Sequence, residues 1–299
     1  MAESAGDSII RVAKVLTKAS LEKGVSQPFT RVTYPEQLDR ACLQIPEQLL
    51  SLRHHALYST LSDEQKWTLS LHEAINFFSV NIHGERALVR DLVARLYART
   101  PLGDPRMVGE YLQHFIHEEN SHTFMLAQYC NRYGDGVGKD FALSVSQDAE
   151  LSPEGHELLS FGRTFVLESF LDFMNQAVMT DDTLDGTARQ IHRFHHIDEA
   201  RHMAFDRAVV ETMAQRMLAE GKEQEVRQIG AQLVAYGELS FSRMSNPLVY
   251  RRLGLANPTQ LSWEVAALPE RQALGRKWLA AARLFLGRVG IVPADPAVS

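Results

Sequence analysis

The stretch His195-His196-Ile197-Asp198-Glu199-Ala200-Arg201-His202 packs three imidazoles and two carboxylates into eight residues, with no proline or glycine to break it. Read as a helix, it sets Glu199 and His202 one turn apart on one face, and His195 one turn earlier on the same stripe. The spacing Glu-x-x-His recurs at Glu119-x-x-His122. Spacing alone is weak, because this content of glutamate and histidine gives about one such match by chance. Position along the chain says more.

Outward from that stretch the pattern is almost wholly helical. β-branched alternation is rare and the Pro/Gly punctuation is widely spaced. Four long segments are predicted. The first covers 69–100 and stops at Pro101. The second runs from Pro105 to about Tyr133-Gly134. The third opens at Ser152-Pro153, an N-cap followed by proline, and ends at Thr180-Asp181. The fourth runs from Gly186 to Gly221, a candidate C′ glycine. Short connections make helices antiparallel neighbours, so midpoints lie at one level. Glu85, Glu119 with His122, Glu168, and Glu199 with His202 all fall near those midpoints, one group per helix.

Two Glu-x-x-His pairs and two lone glutamates are the ligand set of di-iron or di-manganese carboxylate bundles. Their surroundings are apolar: Phe78, Ile82 and Leu88 flank Glu85, Leu112, Phe115 and Leu126 flank the second pair, and Phe161, Phe165 and Leu171 flank Glu168. Carboxylates on such faces need pairing, hydrogen bonds or a metal. Asp198 is expected to hold the second ring nitrogen of His122, since ligand histidines commonly donate to a carboxylate. Arg201 is expected to pair with Asp198 or another acid. His195 would be a seventh ligand, with His192 and His196 competing for that place by helical phase.

The rest of the composition excludes other classes. The chain has 299 residues, 45% hydrophobic and 23% charged, enough for a large core without a staple. Cys42 and Cys130 stand far apart and outside any CxxC, which argues against a disulfide scaffold or a cysteine zinc site. The formal net charge is -6 and no basic block occurs, so no nucleic-acid partner is expected. No stretch approaches the ~18 uncharged residues of a membrane span. The N-terminus lacks the regions of a signal peptide, and the expected location is cytoplasmic. Histidine clusters in the middle, 10 of 12 between His72 and His202.

The order Glu85, Glu119-x-x-His122, Glu168, His195-x-x-x-Glu199-x-x-His202 resembles the p-aminobenzoate N-oxygenase (AurF-type) family of di-iron arylamine oxygenases. The extra histidine distinguishes that family from other ferritin-like di-iron proteins. The resemblance covers 69–210 by motif and the whole chain by length and helical character. It implies two iron ions held by Glu85, Glu119, His122, Glu168, His195, Glu199 and His202, and O₂ as co-substrate. It further implies oxidation of an amine nitrogen towards hydroxylamine, nitroso or nitro products, with electrons from an external donor such as a ferredoxin or reductase.

The fold expected is therefore all-α: a ferritin-like four-helix core over 69–221, an N-terminal extension of a few short helices over 1–68, two further helices over about 222–245 and 268–289, and a frayed tail at 290–299. It is expected to form a single domain and a homodimer. Helical phase nominates Phe78, Asn81, Phe165, Asp172 and Asn175 as substrate-pocket residues. A C–H hydroxylase or desaturase, a ferritin-like iron store or peroxide scavenger, and a metal-free helical module are the competing readings. The long additions on both sides of the core favour a walled substrate pocket over storage.

Overall fold

The computed structural model describes residues 5–23, 32–97, 105–140 and 151–293. Ten α-helices and no strand occur among them. Helix α2 (Asp63–Arg95) begins six residues before the predicted start. Its signal is a capping box: the Ser62 side chain accepts from the Gln65 N–H, and the Gln65 side chain accepts from the Ser62 N–H. The helix ends at Arg95, with Leu96 as its C-cap, short of the predicted end near Thr100.

Helices α3 (Pro105–Tyr133), α4 (Pro153–Met179) and α5 (Gly186–Ala219) fall close to the predicted segments. Ser152 caps α4 by accepting from Gly155 N–H at 3.1 Å, and Asp185 caps α5 by accepting from Thr187 and Ala188 N–H. Gly221 carries φ 74°, the left-handed conformation that a glycine adopts beyond a helix end. These four helices form the bundle, with the most extensive packing between α4 and α5 and between α2 and α3. This is the ferritin-like core expected from the four-segment pattern.

The flanks differ from expectation. The N-terminal extension contains the short 3-10 helices Glu47–Leu49 and Ala56–Thr60, as expected, but also one long helix, α1 (Ala5–Lys23), which packs on α3 and α5 through Ile9, Ala13 and Leu16. Beyond Gly6 in its first turn, nothing up to residue 23 breaks a helix, and those buried residues follow the 3.6 period. After the core come α6 (Glu223–Ser242), packed on α4, then α7 (Pro247–Arg252) and α8 (Pro258–Ala267), which were not predicted. Both short helices start with Asn-Pro, a start signal that their length hid.

The predicted helix over 268–289 is two, α9 (Pro269–Trp278) and α10 (Ala280–Arg288), meeting at Leu279. Residues 290–293 are not frayed: Ile291 is buried against α6, where it leaves room only for a glycine at Gly230. The remainder of the predicted tail lies outside the described residues. Among the described residues no helix is long and apolar enough to cross a membrane.

Candidate metal centre

The four bundle helices bring seven side chains to one interior volume. Ligand-capable atoms of Glu85, His122, His195 and Glu199 lie within 4.8 Å of one another, and so do those of Glu119, Glu168, Glu199 and His202. All seven residues are at most 2% exposed. Glu199 serves both groups: its Oε1 is 2.9 Å from His195 Nε2 and 3.4 Å from His122 Nδ1, while its Oε2 is 3.7 Å from His202 Nδ1. Glu119 spans them in the same way, with Oε1 2.8 Å from His202 Nδ1 and Oε2 3.8 Å from His122 Nδ1. Glu85 Oε1 completes the first group, 3.2 Å from His195 Nε2.

The imidazoles are aimed by their outer nitrogens. His122 turns Nε2 to Asp198 Oδ2 at 3.3 Å, and His202 turns Nε2 to Glu118 Oε2 at 2.8 Å. Both therefore present Nδ1 to the centre. His195 is reversed: its Nδ1 meets the Asn175 carboxamide at 2.9 Å, leaving Nε2 inward. Arg201 Nη2 donates to Asp198 Oδ1 and to Glu118 Oε1, each at 2.7 Å, joining the two outer acids. Phe115 stacks on the His202 ring at 3.9 Å and walls that side with apolar surface.

Charge makes the arrangement unstable on its own. Burial first, and then Glu119 beside it, raise Glu85 to about 7 against the opposing pull of His195 and His122. Burial and then Asp206 and Glu199 hold Glu168 well above the usual carboxylate range. Burial opposes charge on His122, yet Asp198, Glu119 and Glu199 outweigh it and raise that imidazole. His202 is raised likewise, with Glu119, Glu118 and Glu199 overcoming burial. Burial would raise Glu199 too, but His195, His122 and His202 hold it well below the usual range. Protons on imidazoles thus stand where cations would neutralise the carboxylates.

The orphaned atoms test the fit to a metal. Both oxygens of Glu119 and Glu168, Glu85 Oε2, Glu199 Oε2, and Nδ1 of His122 and His202 are buried without an aligned hydrogen bond, the 2.8 Å approach of Glu119 Oε1 to His202 Nδ1 being an ion-pair contact only. Buried polar groups in folded proteins are normally satisfied, and one unmet atom costs about 1–3 kcal/mol. So many unmet atoms facing one volume, all oxygen or imidazole nitrogen, suit divalent cations of the iron and manganese kind.

The other nominated residues distribute differently. His196 turns to Asp172, away from the centre, and Asp172 also accepts from Gln176 at 2.6 Å. Asn175 links His195 to His192, whose Nδ1 lies 2.8 Å from its oxygen. His192 packs its ring near Phe77 and Phe78, and burial, then His195, push its pKa down to about 3. Phe78 further packs on Tyr129, and Phe165 on Phe285. Asn81 is fully buried with both side-chain polar atoms unpartnered.

Three residues escaped the sequence reading. Glu118 had a signal, since it precedes Glu119 as Asp198 precedes Glu199. Asp206 continues the stripe of His195, Glu199 and His202, and it is buried beside Glu168. Tyr111 is fully buried with its hydroxyl unpartnered, and burial raises its pKa. Nothing in its local sequence marks it.

The model of the p-aminobenzoate N-oxygenase AurF family matches residues 9–290. No curated protein matches the chain. Among solved structures the chain is similar to an R2-like ligand-binding oxidase with aerobically reconstituted Mn/Fe cofactor (long soak). The TM-score is 0.54 at 16% identity, over 94% of this chain and 92% of that one. It is similar also to an R2-like ligand-binding oxidase with aerobically reconstituted metal cofactor after photoconversion, with TM-score 0.52 and 16% identity over 95% and 94% of the two chains. Those likenesses carry the fold. The family match carries more: the chain belongs to the p-aminobenzoate N-oxygenase AurF family and is an oxidase of the ferritin-like di-metal class.

Proposed function

We propose that this member of the AurF family is a di-iron N-oxygenase: it uses O₂ to oxidise the nitrogen of a small-molecule amine, with electrons from an external donor. The observation that carries the reading is the place of His195. Its Nε2 stands with Glu85, His122 and Glu199, so one group offers two imidazoles and the other only His202. That asymmetry is what the extra histidine of the family motif would produce.

In this reading Glu85, His122 and His195 would hold one ion and Glu168 and His202 the other, with Glu119 and Glu199, which face both groups, available to each. When bound, the two reduced metal ions would supply the O₂ activation that the reaction needs. Each round adds one oxygen to nitrogen, takes two electrons and two protons, and releases the other oxygen as water. The chain's own residues do the positioning. Asp198 and Glu118 fix which nitrogen of His122 and His202 faces inward, and Arg201 locks both acids. Phe115, Leu112, Leu126 and Ile82 keep the volume dry, which guards an oxidant from water. A cytoplasmic homodimer is the working assembly.

The test is aerobic turnover of iron-loaded protein with a panel of aryl amines and amino acids, products read by mass spectrometry. Oxygen on nitrogen supports the reading. Oxygen on carbon, or a new double bond, replaces it with a C–H hydroxylase or desaturase. Metal analysis of the purified protein for iron and manganese separates a Fe/Fe from a Mn/Fe centre.

A further inference from the structure

Helix α2 carries two different faces at the level of the metal centre. Its outer phase borders a cleft of about 1060 Å³, bounded by α6, α8 and the 135–140 segment, which reaches along α2 to Gly84. Its inner phase is a stripe of Ala74, Phe78, Asn81, Glu85, Leu88 and Leu92, all buried. Two members of that stripe are polar. Glu85 stands in the metal centre. Asn81 lies four residues earlier, so the two are neighbours on the helix surface, and it lines no part of the cleft.

Asn81 is fully buried, and neither its Oδ1 nor its Nδ2 has a hydrogen-bond partner among the described residues. An unmet carboxamide in a core is costly, and buried amides are normally satisfied. The other buried asparagine at this end of the centre shows the contrast. Asn175 meets His195 Nδ1 at 2.9 Å and His192 Nδ1 at 2.8 Å, so both its polar atoms are engaged. Asn175 aims a histidine, whereas Asn81 aims no group of this chain.

The surroundings decide what can meet it. One turn before Asn81, Phe78 packs on Tyr129 with centroids 5.0 Å apart and on His192 at 5.3 Å, and Phe77 lies 6.5 Å from Phe170. One turn after it, Glu85 Oε1 stands 3.2 Å from His195 Nε2. Asn81 therefore offers a neutral acceptor and a neutral donor between an aromatic floor and the group of ligands that holds the additional histidine. A carboxamide does not titrate, so it keeps both roles at any pH and adds no charge to the centre.

We propose that Asn81 holds the substrate's reacting nitrogen, and holds it through more than one round of oxidation. Its Oδ1 accepts an N–H of the amine. In one round R–NH₂, O₂, two electrons and two protons give R–NHOH and water. The nitrogen then keeps its N–H on Oδ1, while Nδ2 donates to the new oxygen. One contact becomes two, so the hydroxylamine is held more tightly than the amine and stays for the next round. The electrons come from the external donor, and Asn81 transfers neither electrons nor protons. The identity of the reacting atom rests on the N-oxygenase reading; the unmet carboxamide beside Glu85 does not.

The contact is tested by calorimetry on zinc-loaded protein, in which the metal is redox-inert and no turnover occurs. The probes are toluene, aniline and phenylhydroxylamine, close in size and uncharged. The wild type should bind aniline about tenfold more tightly than toluene, and phenylhydroxylamine more tightly again, because each adds a contact to a buried unmet amide. Asn81→Leu removes both polar atoms with little change of volume. It should abolish both preferences and bind toluene at least as well as the wild type. No binding of aniline to the wild type, or preferences unmoved in Asn81→Leu, overturns the contact. Zinc content and melting temperature should not fall in Asn81→Leu. A lower melting temperature would show that the amide serves the fold, and overturns the proposal.

Retention is tested by aerobic turnover of iron-loaded protein with the amine panel. Asn81→Leu should release hydroxylamine in place of nitroso and nitro products, at wild-type iron content. An unchanged product ratio overturns the retention. An Asn81-dependent preference for aniline without any N-oxidised product would strike the N-oxygenase reading and leave the Asn81 contact standing.

Discussion

Glu118 on α3 accepts from the imidazole of His202 on α5 at 2.8 Å, and this contact is the reciprocal of the one by which Asp198 on α5 faces His122 on α3. Each outer acid directly precedes the glutamate of its own helix that faces both groups, and holds the histidine of the other helix. Arg201 ties the two acids together at 2.7 Å. The arrangement crosslinks α3 and α5 at the level of the metal centre, so the aim of each histidine depends on the opposite helix.

Glu118→Gln should therefore act like the loss of a metal-site supporting residue. It removes the charge that favours an inward Nδ1 on His202. We expect the helical circular dichroism to stay unchanged and iron affinity to fall about 10–100-fold. Glu110→Gln on the outer face of α3 serves as the control. Equal iron retention in both variants would reduce Glu118 to a buried structural acid.

Asp198→Asn should give a loss of the same size through His122, again about 10–100-fold in iron affinity or turnover. Because Arg201 bridges both acids, the double variant with Glu118→Gln should lose less than the product of the single effects, as coupled sites do. Strict additivity in a double-mutant cycle would show that Arg201 does not connect them.

The metal content itself is open to direct measurement. Anaerobically loaded protein should hold about two irons per chain, the content of a four-glutamate, two-histidine bundle site. Glu119 and Glu199 each face both groups, so Glu119→Ala and Glu199→Ala should each lower both occupancies. Full iron in both variants would remove the assignment of these two glutamates to both ions.

What the sequence made legible follows from where the information sits. The seven inward residues could be nominated because helix period and helix midpoints are local properties, and an up-down bundle converts them into one volume. Asp198 and Arg201 could be nominated by adjacency. Glu118 was within reach by the same adjacency, yet its partner lies 84 positions away. The cleft was not legible. It is built by α6, α8 and the outer phase of α2, and α8 is too short to announce itself by period. The break at Leu279 between α9 and α10 has no proline or glycine to mark it.

A second buried acid gives a pH prediction away from the metals. Glu73 accepts from the Ser51 N–H at 3.0 Å and from the Ser51 hydroxyl, and Tyr250 donates to that hydroxyl. Burial pushes Glu73 up to about 7, opposed by Ser51 and by Arg271, the charged group facing it. The folded state therefore binds a proton that the unfolded chain releases near 4.5. Between those values the unfolded state holds fewer protons, so this group's contribution to stability is full below 4.5 and is lost as pH rises towards 7. The loss is on the order of 3 kcal/mol. Glu73→Gln should flatten that part of the profile and raise the melting temperature at pH 8 relative to wild type. A parallel fall in both proteins from pH 5 to pH 7.5 would exclude Glu73 as the source.

His195 decides between this family and ordinary six-ligand relatives. It reaches the centre through Nε2, at 2.9 Å from Glu199 and 3.2 Å from Glu85, and Asn175 supports it from behind. Six candidate ligands remain in His195→Ala, enough to hold two ions. Iron content should therefore stay near wild type, while the coordination of one ion changes. The transient absorbance after mixing reduced protein with O₂ should shorten or shift, and N-oxidation should fall sharply. Asn175→Leu should show a weaker form of the same change, since it leaves His195 unaimed. His196→Ala should behave as wild type, because His196 faces Asp172 and not the centre. If His195→Ala oxidises amines at the wild-type rate with an unaltered transient, the seventh ligand has no role in the chemistry. N-oxygenation would then lose the one feature of the site that separates it from C–H oxidation.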